Sequence, residues 1–99
     1  MTAKTMLPPV HPGEILREEF MKPFELTANA LANAIGVTAA RINEIAKEKR
    51  GITADTALRL ATYFGTDAQS WMNLQQNFEL ESARRDLADE LKHIHPHAA

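Results

Sequence analysis

The stretch LTANALANAIGVTAARINEIA, residues 26–46, decides the fold. Two helix-length segments flank Gly36, each opened by a threonine suited to capping the first orphan N–H groups of a helix, Thr27 and Thr38. Leu31, Ala32 and Ile35 share one face of the first segment, and Ile42, Ile45 and Ala46 share one face of the second. Gly36 suits the left-handed conformation that ends a helix, while Val37, Ile42 and Ile45 plug the second helix into a core. Ala30 is expected to be the small residue at which the two helices touch. A short helix, a glycine turn, an apolar residue and a second helix with a polar outer face make the layout of a helix-turn-helix. The glycine alone is weak evidence, because helical hairpins in many bundles share it.

Outward from this unit, the same punctuation recurs. Pro12 suits the first position of helix 1, whose apolar stripe is Ile15, Leu16 and Phe20 with Arg17, Glu18 and Lys22 facing water, and Pro23 stops it. Helix 4 is expected from Thr53 to Gly65, burying Ala57, Leu58, Ala61 and Phe64. Helix 5 is expected to open on a capping box, Thr66 with Gln69, and to run to about Lys92. No stretch sustains strand alternation, so the fold class is all-α, a five-helix bundle. Its expected division is a loose arm over residues 1–11, the helix-turn-helix domain over 12–78 and a C-terminal extension with a tail over 79–99.

Ninety-nine residues, 44% of them hydrophobic, suffice for one core without staples. The absence of cysteine removes thiol catalysis and Cys-type metal sites. Lacking a membrane-length apolar run, a signal-peptide pattern or any sign of an oxidising compartment, the chain is expected to be cytoplasmic. No phosphate-binding loop, dinucleotide fingerprint or nucleophile elbow is present, so neither an enzyme nor a cofactor is expected. Glu18 and Glu19 are adjacent, hence on different sides of a helix, and form no catalytic dyad.

The net charge is −2, which attracts no polyanion as a whole. It is segregated, however: residues 41–50 carry +2 and residues 51–99 carry −3. The second helix and its exit are thus the surface for phosphates. Its outward side holds Ala40, Glu44 and Lys47 flanked by Arg41 and Asn43. Those residues, with Ala39 in the first turn, are the candidate base readers. Thr27, Ala28 and Thr38 at helix N-termini, with Lys49 and Arg50, are the candidate phosphate contacts. Leu80, Leu87 and Ile94 recur at seven residues with Ala83 and Leu91 between them, a stripe read as a dimer seam. The alternative is a solvated tail whose leucines cover the bundle. His11 is expected to be a cap or turn residue, Trp71 a packing anchor, and His93, His95 and His97 an adventitious metal-binding tail.

Over roughly residues 10–82, the segments VHPGEILREEFMKP, RGITADTALRLATYFGT and WMNLQ resemble the HigA-type antitoxins, a branch of the Xre and Cro/C1-type helix-turn-helix proteins. The resemblance implies a lambda-repressor-like fold, a homodimer on an inverted repeat of operator DNA in its own promoter, and neutralisation of a HigB-type toxin, an RNase that cuts mRNA on the ribosome. One departure matters. Phage-repressor relatives often carry glutamines in the first turn of the recognition helix, where Ala39 and Ala40 stand here; alanine meets a thymine methyl but neither donates nor accepts. A stand-alone Xre-type regulator and a protein interaction adaptor that has lost DNA binding are the other readings.

Overall fold

The computed structural model describes residues 8–98. Helix α1, Pro12–Ile15, continues directly as a π-helical stretch, Leu16–Met21; then come α2, Ala28–Ile35, α3, Ala39–Ala46, α4, Ala54–Phe64, α5, Ala68–Asp86, and α6, Ala88–Lys92. No strand occurs among the described residues. The all-helical expectation holds among the described residues, which form six helices in place of five because the last one divides at Leu87.

His11 caps α1: its Nδ1 accepts from the Gly13 N–H at 2.8 Å, and the residue is buried with its ring edge-on to Phe78. His11 therefore belongs to the helical domain and not to the expected arm, of which residues 1–7 lie outside the described ones. In the π-helical stretch the Lys22 N–H reaches back five residues to the Arg17 carbonyl. That wider turn puts residues five apart on one side, so Leu16 and Met21 are both buried and Ile15 and Phe20 both pack against the core. An expected 3.6-residue stripe omitted Met21 for this reason.

Helices α2 and α3 form the hairpin that the sequence announces. Thr27 Oγ1 accepts from the Ala30 N–H at 3.0 Å and Thr38 Oγ1 from the Arg41 N–H at 3.1 Å. Gly36 sits at φ 75°, and the N–H groups of Gly36 and Val37 both return to the Ala32 carbonyl. Ala32 is buried, whereas Ala30, the small residue expected where the helices touch, is exposed on the first turn.

Two other details depart from expectation. Leu58 is 60% exposed and Leu60 fully buried, because α4 turns Thr56, Ala57 and Leu60 inward. The cap of α5 is Asp67, which accepts from the Ser70 N–H at 3.1 Å. Thr66 instead receives the Trp71 indole N–H at 2.9 Å, which anchors the buried tryptophan as α5 enters the bundle. Within the bundle α2 packs on α3, α4 on α5, and α1 bridges α3 and α5. Past Gln75 no α5 residue is buried, though Phe78 still packs on His11, and the helix breaks at Leu87 (φ −99°, ψ 6°).

Candidate nucleic-acid interface

The outer face of α3 is built by what holds its inner face. Ile42 and Ile45 are fully buried and Ala46 nearly so, which leaves Ala40, Asn43 and Lys47 exposed, with Arg41 and Glu44 half-buried at the edges. Ala39, expected to face a base, is half-buried against the core, which leaves its methyl less available to one. The side chains of Thr27 and Thr38, engaged as acceptors in their caps, keep an O–H to donate outward.

Both helices of the hairpin are tied down at their C-terminal carbonyls by an arginine from a flanking helix. Arg59 on α4 donates to the Ile35 and Gly36 carbonyls at 2.7 and 3.3 Å. Arg17, in the π-helical stretch that continues α1, donates to the Ala46 carbonyl and pairs with Glu48 at 3.3 Å. Each places a cation on the negative end of a helix and satisfies a carbonyl left over there. Arg17 is thus half-buried and bonded, and does not simply face water. Gly13 lets α1 approach α3: a Cβ there would stand 1.8 Å from the Ile45 carbonyl oxygen. On the exit loop, Glu48 adopts φ 63°, a left-handed cap with the Lys49 N–H bonded to the Glu44 carbonyl at 2.8 Å. Further along, buried Gln75 receives the Ile52 N–H at 2.7 Å and fills the space where a Cβ on Gly51 would sit.

The charges on this face are not all free. Arg50 pairs with Glu44 at 2.8 Å, so a candidate phosphate contact and a candidate base reader hold one another. Arg41 donates to Asp55 at 3.2 Å and to Thr56 at 3.3 Å. Asp55 also takes Arg59 at 2.7 Å, and that hydrogen bond chiefly holds its carboxyl below the usual range. Lys47 and Lys49 carry no ion pair among the described residues.

With that geometry, likeness to known proteins becomes specific. The helix-turn-helix family (HTH_3) matches residues 18–71. Antitoxin HigA-1 of Vibrio cholerae serotype O1 is 35% identical over 95 residues, 94% of this chain and 88% of its own. The chain belongs to the HigA-type antitoxins of the helix-turn-helix family. Virulence-associated protein I of Dichelobacter nodosus is 60% identical to this HigA-type chain over 83 residues, 84% of the chain and 77% of that protein. The solved structure of the Pseudomonas aeruginosa antitoxin HigA with the higBA promoter matches with a TM-score of 0.87 at 46% identity, covering 91% of this HigA-type chain and 99% of the other.

The sequence alone points to the outer face of α3 but not to Gly13, Arg17, Asp55, Arg59 or Gln75, the residues that hold this HigA-type surface in place. The signal at Gly13 is a glycine in the first turn of a helix, where alanine is the better former. Arg17 and Arg59 give no signal, because an arginine on a helix reads as solvated until its partner is known. The described residues His93, His95 and His97 are exposed, and no cluster of metal-ligating side chains occurs among the described residues. No described helix is long and apolar enough to cross a membrane.

Proposed function

We propose that this protein is the antitoxin of a type II toxin-antitoxin pair, which binds its own operator as a dimer, represses transcription and neutralises a HigB-type mRNA-cleaving toxin. The observation that carries the reading is the match, along nine-tenths of the chain, to a HigA bound to its promoter. On this reading α3 enters the major groove, with Asn43, Glu44 and Lys47 meeting base edges, Ala40 meeting a thymine methyl and Arg41 joining them on release from Asp55. Thr27, Ala28, Thr38, Lys49 and Arg50 contact phosphates, and shape readout compensates for the two alanines. Leu80, Ala83, Leu87, Leu91 and Ile94, exposed along α5 and beyond, form the seam between two copies. The protein then works by binding alone, without catalysis or cofactor, in the cytoplasm.

A gel shift on the promoter of its own gene, repeated with the product of the adjacent reading frame, tests this. Expected are one complex on an inverted repeat and rescue of growth when the adjacent product is made with this chain. Operator binding with no effect on any adjacent product would instead make the chain a stand-alone regulator.

A further inference from the structure

We propose that an acid-rimmed groove between α1 and the start of α5 is the surface on which this protein holds its basic, RNA-cutting partner. The inference rests on the antitoxin reading and adds to it the place of contact. The groove has a volume of about 240 Å³ and an apolar floor of Ile15, Phe20, Trp71 and Leu74. Glu19 and Asp67 stand on its rim, and no lining residue is basic. Neither carboxylate has an ion-pair partner among the described residues. Asp67 accepts from Ser70, which fixes its orientation without neutralising it.

The apolar floor continues outward. The Phe20 ring lies 5.3 Å from Trp71 and 4.7 Å from Phe64, and Phe64 stacks at 6.1 Å on Phe24, which is 60% exposed. An exposed aromatic rim with two unpaired acids suits an apolar side chain flanked by Lys or Arg. A toxin that cuts mRNA must bind a polyanion, so its surface supplies such cations. No lining residue comes from α2 or α3, which leaves the hairpin free for DNA while the groove is filled.

The test uses the full chain and, as probe, the purified product of the adjacent reading frame in a catalytically disabled form. Glu19→Lys and the milder pair Glu19→Gln with Asp67→Asn are compared with Asp89→Lys, an exposed acid on α6, by calorimetry, operator gel shift, thermal melting and sedimentation. Expected are a loss of toxin affinity of thirtyfold or more for Glu19→Lys and about tenfold for the neutral pair. Asp89→Lys stays within twofold, and operator affinity and melting are unchanged in all three. Toxin affinity within threefold for both groove variants, beside a wild type that binds, overturns the groove and leaves the antitoxin reading standing. An equal loss from Asp89→Lys means net charge acts in place of a site, and overturns it too. A changed oligomeric state for Glu19→Lys assigns the groove to a second copy of this chain. No binding by the wild type removes the antitoxin reading itself, and the groove with it.

Discussion

The backbone of Gly13 lies against the carbonyl of Ile45 so closely that a Cβ on Gly13 would be 1.8 Å from that oxygen. The first turn of α1 is thereby pressed onto the last turn of the recognition helix. An alanine in a helical first turn ordinarily stabilises relative to glycine, but here the obstacle is backbone and does not yield cheaply. Gly13→Ala is expected to destabilise by about 1–3 kcal/mol in denaturant unfolding, with a melting point several degrees lower. An unchanged midpoint would mean that α1 sits further from α3.

Asp55 restrains Arg41 while also binding Arg59, so removing its charge releases a cation on the DNA side. Asp55→Asn is expected to tighten non-specific DNA binding and to steepen log affinity against log salt by up to about 0.9 per protomer. Fluorescence anisotropy across a salt series measures it. A flatter slope would show that Arg41 reaches the DNA only when Asp55 holds it.

Lys47 and Lys49 have no ion pair to break among the described residues on entering the proposed DNA complex. Replacing Lys49, the proposed phosphate contact of the two, with alanine is expected to flatten the same salt dependence by about 0.9 per protomer and to weaken binding on every site variant alike. Glu44→Ala has two consequences, since it removes a proposed base reader and frees Arg50. It is expected to change preference at one symmetric pair of positions by roughly 1–3 kcal/mol while retaining non-specific affinity.

Burial holds the His11 imidazole below its ordinary value, with Glu48 opposing the effect. The unfolded chain titrates this group near pH 6.5, so below that pH it takes up a proton before the folded state does. The stability contributed by neutral His11 is therefore full above about 6.5 and is lost as pH falls toward the folded pKa. His11→Asn keeps an acceptor for the Gly13 N–H and has no charge to gain. Its unfolding free energy is expected to be flat between pH 6.5 and about 5, where the wild type declines. Glu18 and Asp55, held low by hydrogen bonds from Arg17 and Arg59, add acid lability only below their ordinary values of 4.5 and 3.8.

Leu87 and Leu91 are each 45% exposed, on a part of the chain where no described residue is buried. Leu87→Glu with Leu91→Glu is expected to convert a dimer into a monomer in sedimentation with little change in melting. Affinity for a two-half-site operator should fall by roughly 10²–10⁴, the gain that linkage of two half-site contacts confers. A dimer that survives both changes would place the seam on another face.

The helix-turn-helix was legible along the chain because its determinants are local: Thr27 and Thr38 cap within three residues, Gly36 turns by itself, and Ile42 and Ile45 mark an inner face by spacing alone. The outward residues of α3 follow from the same periodicity. The expected helix 5 cap at Thr66 failed because Asp67, equally suited, stands next to it and Thr66 is taken by the Trp71 indole. Leu58 was misplaced because a pair of leucines two apart leaves the inward choice to neighbours, and α4 turns Leu60 toward them. Which arginine binds which carbonyl, that Gly13 must be glycine, and that Asp55 holds Arg41 all depend on contacts between residues 14 to 32 positions apart. Such pairs leave no periodic trace in one sequence. The recognition helix is therefore declared by its own residues, but its position is set by α1 and α4, and only packing brings those to it.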